Sequence, residues 1–246
     1  MKIGDFYERT EVIHEVVEAK RSEICYSLII DLITKEISRR ERKKILGIGC
    51  GDGSFIIRFK KYCEVFGVDI SRRAIKIAKE AGIDAHKVDV SCEKLPFEDE
   101  YFDIVYMGEV IEHLINPDFA INEAARVIKS NGFLVLSTPN LASWLNRLLL
   151  LLGMQPLFSE VSTIRNFGRL GRPGSFPVGH LRLFTYEALK EFLTYYRFNI
   201  VNVVGAPCEG LPKLLSKIDR IFGKIPSLSS TVIVVACARE DNWNVM

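Results

Sequence analysis

The stretch Ile45-Leu46-Gly47-Ile48-Gly49-Cys50-Gly51-Asp52-Gly53 decides the fold. Residues 44–48 read as a buried strand, and the strand runs into a turn with glycine at alternate positions. Glycine has no Cβ, so the main chain can turn sharply there and a ligand can press against it. A helix predicted over about residues 53–61 would aim its first amides at such a ligand. A dinucleotide loop wants G-x-G-x-x-G. Here Gly49-x-Gly51 is followed by Gly53, and the sixth place is Ser54. Taken alone, the loop is equally a tight strand–helix turn without a ligand.

Outward from the loop, a second strand over residues 64–68 closes on Asp69, roughly 20 residues downstream, where an acid can accept both hydroxyls of a ribose. The same side chain could serve as a cap before Ser71, which opens a helix stopped at Gly82. A third strand over residues 85–88 leads to Asp89, readable as a turn residue or as an acceptor for an adenine amine. Further strands are expected over residues 102–107, 133–137, 199–204 and 231–237. Helices over residues 118–129 and 186–195 and a connecting helix separate them. Nearly all-apolar strands alternating with helices imply a doubly wound α/β fold whose parallel sheet is covered on both faces. Residues 5–38 place Val12, Val16, Ile24, Leu28 and Leu32 at helical spacing. An N-terminal helical arm over residues 1–40 therefore precedes a domain over residues 41–246. From about residue 140 to 180 the alternation breaks, which predicts a helical cap inserted into that domain.

Composition sets bounds. A chain of 246 residues suits one α/β domain with embellishments. Its 48% hydrophobic and 26% charged residues argue against disorder. A net charge of +2 does not call for a nucleic-acid partner. Cys25, Cys50, Cys63, Cys92, Cys208 and Cys237 stand singly, with no zinc-ligand spacing. Residues 1–9 are polar and no apolar leader follows. The expectation is a cytoplasmic protein with reduced thiols. The longest apolar run, residues 148–152, is far below the ~20 residues that span a bilayer. It leaves open only peripheral membrane contact.

Residues 45–55, Asp69, Asp89, and Leu95-Pro96-Phe97 through Phe102-Asp103-Ile104-Val105 resemble class I S-adenosylmethionine-dependent methyltransferases. Glu109-Val110-Ile111-Glu112-His113-Leu114, Glu123-x-x-Arg126 through Gly132, Ser137-Thr138-Pro139-Asn140 and Gly179-His180-Leu181-Arg182 are similar to the subgroup of ubiquinone-type O-methyltransferases (methyltransferase types 11 and 23). The likeness runs in order over about residues 40–205. It implies a Rossmann-like sheet of seven strands, mostly parallel, with an antiparallel last strand. It also implies S-adenosylmethionine as cofactor, held by Gly49, Cys50, Gly51, Asp69, Ile70, Asp89, Val90, Gly108 and Glu109. The activity implied is methyl transfer by direct displacement to a small-molecule acceptor, at oxygen. One departure matters: the family carries an acid where this chain has Gly47. Asp52 is the candidate to compensate, and Gly47 keeps open a protein that binds the cofactor without catalysis.

The chemistry asks for alignment, and for a base if the acceptor is a hydroxyl. His113, at the carboxyl edge of the sheet, is the candidate catalytic base; its plainer role is packing or bonding to the cofactor loop. His180 is assigned to the acceptor pocket, or to capping the helix beginning near Thr185. Trp144, with Leu145, Leu148, Leu149, Leu152 and Phe158, could line an apolar acceptor pocket. The same residues could pack the cap down or form a dimer contact, so a monomer and a homodimer both remain open. Arg165, Arg169 and Arg172 would suit an acidic acceptor or a solvated loop. Glu109, Glu112, His113 and His180 resemble the ligands of metal-dependent small-RNA 2′-O-methyltransferases, an alternative function. The E-x-x-E-H pattern also occurs in metal-free relatives, so no metal is assigned. Leu211, Leu214, Leu215, Ile218 and Phe222 alternate with Lys213, Lys217, Arg220 and Lys224. That pattern predicts a helix covering the sheet edge, its rival being a helix on a membrane surface.

Overall fold

Alternating apolar residues on successive strands build the molecule around one sheet. The computed structural model describes residues 19–36, 42–169, 176–208 and 211–239. The elements run in the order α1 (Ala19–Asp31), a π-helical turn (Leu32–Glu36), β1 (Lys43–Ile48), a 3-10 turn (Ile56–Phe59), β2 (Cys63–Asp69), α2 (Arg72–Glu80) and β3 (Asp84–Lys87). Then follow β4 (Phe102–Gly108), a 3-10 turn (Ile111–His113), α3 (Pro117–Val127), β5 (Ile128–Pro139) and α4 (Trp144–Leu151). The chain closes with α5 (Tyr186–Tyr195), β6 (Phe198–Ala206), α6 (Lys213–Phe222) and β7 (Thr231–Ala238).

The seven strands lie in the order β3-β2-β1-β4-β5-β7-β6. β1 pairs in parallel with β2 and β4, β2 with β3, and β4 with β5. The last strand, β7, is antiparallel to both β5 and β6. The order reverses between β1 and β4, and the crevice outside their carboxyl ends is where such sheets receive ligands.

Because successive side chains leave a strand on opposite faces, neighbours on β1 feed two separate cores. Leu46 and Ile48 join Val68, Val105, Met107, Ile121 and Leu189 on one face, beneath α3 and α5. Ile45 joins Val65, Ile104, Ile29 and Ile75 on the other, beneath α1 and α2. Ser71 caps α2 by accepting from the Ala74 amide at 3.2 Å. Asn116 caps α3 by accepting from the Phe119 amide at 3.1 Å.

Two predicted elements come out differently. The helix expected over residues 53–61 is reduced to the 3-10 turn Ile56–Phe59. Left-handed backbone at Gly49, Gly51 and Gly53 delays any helix. Asp52 Oδ1 binds the Ser54 amide at 2.9 Å, a local bond that competes with helix formation. α3 stops at Val127 rather than near residue 129, and β5 starts at once. Its pairing with β4 jumps from Phe102↔Ile128 to Ile104↔Phe133. The residues between bulge out around a left-handed Asn131, and Lys129 Nζ ties them to Asp103 at 3.0 Å. In the N-terminal arm, Val12 and Val16 lie outside the described residues; Ile24, Leu28 and Leu32 pack in the core beneath the sheet. Of the cap, α4, an irregular segment to residue 169 and residues 176–180 are described; Arg172 lies outside the described residues. Among the described residues no helix is long and apolar enough to cross a membrane.

Candidate active site

The glycine turn takes its shape from what surrounds it. Gly49 has φ +67°, and a Cβ there would sit 2.3 Å from Val110 Cγ2. Gly51 has φ +56°, and a Cβ there would meet nothing within 4 Å. The first glycine is therefore demanded by the protein's own packing, whereas the second faces open space at the β1/β4 switch point. Cys50 lies between them, its Sγ 2.7 Å from where a Gly67 Cβ would be, and burial pushes its thiol up to about 12. That thiol is an inert packing group.

Asp69, at the end of β2, joins the turn to the next helix. Its Oδ2 accepts from the Gly51 amide and its Oδ1 from the Ser71 amide, each at 2.8 Å. Burial raises its pKa above the ordinary aspartate value, against the pull of those amides. Asp69 fixes the helix entry, and each of its oxygens keeps a second lone pair. Asp89 Oδ1 accepts from the Ser91 amide at 3.0 Å, closing a turn beside buried Val90. Asp52 is exposed and engaged with Ser54.

The β4 exit carries the remaining groups. Glu109 follows Gly108 with φ +55°, a conformation uncommon outside glycine. Its amide binds Ser137 O at 2.9 Å, and its Oε1 accepts from Ser137 Oγ at 3.0 Å. Arg21 of α1 donates to the same Ser137 Oγ at 3.0 Å and lies 3.7 Å from Glu109. Glu112 is fully buried; its Oε2 accepts from Thr138 Oγ1 at 3.0 Å, and its Oε1 has no hydrogen-bond partner among the described residues. Burial, then the Glu109 charge, pushes Glu112 well above the usual carboxylate range.

Two imidazoles meet next to Glu112. The His113 and His180 rings have centroids 4.7 Å apart. His113 Nδ1 lies 3.1 Å from Gly179 O, and His180 Nδ1 lies 2.9 Å from Phe158 O. A carbonyl oxygen only accepts, so each Nδ1 carries a proton, and in the neutral ring Nε2 carries the lone pair. Burial holds His180 below its ordinary pKa, keeping it neutral. One ligand atom from each of Glu112, His113 and His180 lies within 4.8 Å of the others. Glu109 is not part of that cluster. No sequence signal singled out Glu160, yet it positions His180: its carboxylate accepts from the amides of Val178, Gly179 and His180 at 2.7, 2.8 and 3.1 Å.

Trp144 goes elsewhere. Its Nε1 donates to Asp219 Oδ1 at 2.7 Å, and its ring stacks on Phe222 at 5.5 Å. The indole packs the cap against α6 instead of opening a pocket. Leu145 and Leu149 are buried with it.

Known proteins resemble this chain in sequence and in fold. Residues 46–136 match the family model described as a methyltransferase domain. The chain is 30% identical over 119 residues to a ubiquinone biosynthesis O-methyltransferase of Alkalilimnicola ehrlichii, covering 46% of this chain and 48% of that protein. It is 34% identical over 127 residues to an uncharacterised protein of Methanocaldococcus jannaschii, covering 52% of this chain and 58% of the relative. The chain thus spans about half the length of the curated relatives it matches. A crystal structure from Thermotoga maritima, described as a possible histamine N-methyltransferase, superposes with a TM-score of 0.59. It covers 97% of this chain and 100% of that one at 19% identity, a likeness that carries the fold.

Proposed function

We propose that the chain is a class I S-adenosylmethionine-dependent methyltransferase, as its match to a methyltransferase domain over residues 46–136 supports, and that it transfers a methyl group to an oxygen of a small-molecule acceptor. The observation that carries the reading is the Asp69–Gly51 bond. It ties an acceptor-only carboxylate to the open side of a glycine turn at the switch point. That pairing fits an adenosyl group: Asp69 suits the ribose hydroxyls, bare main chain at Gly51 suits close approach, and Asp89 suits the adenine edge. Ile70, Val90, Gly108 and Glu109 complete the proposed cofactor set.

When bound, S-adenosylmethionine supplies the activated methyl group. The residues of this chain supply alignment, a contribution of about 7–11 kcal/mol when geometry is good. They also move one proton. Because His113 Nδ1–H is engaged with Gly179 O, Nε2 is the atom that would take the acceptor's hydroxyl proton, an effect of roughly 10²–10⁴-fold. Neutral His180 beside it can orient that hydroxyl without adding a positive charge near a sulfonium. Glu109 is the acid best placed to stand in for the family's missing carboxylate at Gly47. It is partly buried at the β4 exit, whereas Asp52 faces solvent. The test is transfer of labelled methyl from S-adenosylmethionine to phenolic acceptors. Product labelled at oxygen supports the reading; cofactor binding without transfer to any acceptor supports a non-catalytic binding protein.

A second reading has its own observation. Glu112, His113 and His180 form a three-ligand cluster with an unpartnered buried carboxylate oxygen. Both imidazoles donate Nδ1–H to carbonyls, as metal-bound imidazoles do. This favours a divalent ion in a set of three, without Glu109, and transfer to a ribose oxygen of RNA assisted by that ion. Calorimetry with Mn²⁺ or Zn²⁺ alone separates the readings: binding lost in His180→Ala supports the metal, and no heat refutes it.

A further inference from the structure

α6 buries an aspartate and leaves part of its apolar surface exposed. Its sequence predicts a helix that turns Leu214, Leu215, Ile218 and Phe222 to the protein, yet its one buried residue is Asp219. The burial of that carboxylate is fully accounted for: it accepts from Trp144 Nε1 at 2.7 Å, Cys208 N at 2.6 Å and Ser230 Oγ at 3.0 Å. These bonds fix the rotation of the helix: Leu215, Ile218 and Phe222 lie half-buried beside Asp219, and Leu214 and Ile221 face outward. Leu214 is 71% and Ile221 67% exposed.

α4 adds to the same face. It leaves β5 after Pro139, α6 leads into β7 at Thr231, and those two residues are paired in the sheet. The Trp144–Phe222 stack joins the helices. At the end of α4, Leu151 is 84% and Leu152 64% exposed. Lys213, Lys217, Arg220 and Lys224 are exposed along α6, and none of them makes an ion pair among the described residues. Over residues 141–158 and 211–228 the sequence holds a single acid, Asp219, which is buried.

We propose that the α4–α6 face docks on an anionic lipid bilayer surface. Exposed leucine and isoleucine beside a row of unpaired cations, with no exposed acid, complement the headgroup–acyl boundary of such a bilayer. A second copy of this chain would bring the same cations against its own. The face lies at the sheet edge that carries the glycine turn and His113, so docking sets that edge against the lipid. The inference does not depend on the methyl-transfer reading.

The test is co-sedimentation of the full chain with phosphatidylglycerol-containing vesicles and with pure phosphatidylcholine vesicles. Each cation near an anionic surface contributes about fivefold in partitioning. Lys217→Glu/Arg220→Glu is therefore expected to weaken binding to anionic vesicles by more than about tenfold. Leu214→Ser/Ile221→Ser weakens binding at high salt as well, where screening has removed the charge attraction. Both pairs are exposed, so melting temperatures are expected to stay at the parent value. Absence of binding to anionic vesicles, equal binding to neutral ones, or variants that bind like the parent would each overturn the proposal. So would light scattering that shows the substitutions dissociating a dimer while vesicle binding is unchanged.

Discussion

Replacing Gly51 by alanine separates a ligand-bearing turn from a merely tight one. The parent residue has φ +56° and open space where the methyl would go. The cost to folding is then the left-handed conformation alone, about 1–2 kcal/mol. For a chain of this size that corresponds to a fall of about 2–8 °C in melting temperature. Gly49→Ala is the contrasting case. It has the same conformational cost plus a methyl 2.3 Å from Val110 Cγ2, an overpacking of about 1–3 kcal/mol. Its total of about 2–5 kcal/mol makes it the more damaging to stability. Val110→Ala in the same chain should return the packing part and leave the conformational part. For the cofactor the Gly51 variant is the telling one. The added methyl occupies the space against which S-adenosylmethionine would lie, so affinity by calorimetry should fall at least tenfold, about 1.4 kcal/mol, in a protein that still melts cooperatively. A folded Gly51→Ala protein that binds the cofactor as tightly as the parent would refute the reasoning.

The other expectations can be checked together. Protonating Asp69 removes acceptors from Gly51 and from a ribose. Burial raises its pKa, so cofactor affinity should begin to fall at a higher pH than for an ordinary aspartate, and Asp69→Asn should flatten that profile. Between the unfolded and the raised folded value the native state holds the extra proton, so this group's contribution to stability declines as pH rises through that window. His113→Ala should lower turnover by about 10²–10⁴-fold with cofactor Kd unchanged; an equal loss of affinity would make it a binding residue instead. Glu123 is bound by Arg126 at 2.7 and 2.8 Å and by the Leu95 amide at 2.8 Å. Glu123→Ala leaves the Leu95 amide without its acceptor and Arg126 with only Asp99 and two carbonyls, and should cost about 1–3 kcal/mol, read from denaturant unfolding. Burial alone would raise the Glu123 pKa, but these bonds lower it overall. Its stabilisation is present above the unfolded value and is lost as pH falls through the lowered folded one.

Much of this was readable because it is local. The strand–glycine–strand run, Asp69 at a strand end and Ser71 at a helix start each depend on neighbours a few residues away. The Leu95–Phe97 and Glu123-x-x-Arg126 motifs become intelligible as one clamp, since Arg126 also bonds the carbonyls of Leu95 and Phe97. What sequence reading left open or missed depends on distant partners. Trp144 points to α6 because Asp219, far along the chain, accepts its N–H. Leu214 and Ile221 of α6 face outward because three donors to Asp219 set the rotation of the helix, and no pattern within α6 announces them. His180 sits against His113 because Glu160 gathers three amides of its loop, and no spacing rule announces a carboxylate used that way. The helix expected after the glycine turn failed on competition from Asp52 and on left-handed backbone, both visible only once the turn has its shape.

The most direct test of the account is a crystal structure of the chain with S-adenosylhomocysteine. The account predicts the ribose hydroxyls within hydrogen-bond distance of Asp69, the Gly51 main chain against the ligand and His113 Nε2 facing the space beyond the sulfur. A ligand bound elsewhere, or Asp69 holding only its Gly51 and Ser71 amides while the ribose lies apart, would contradict it.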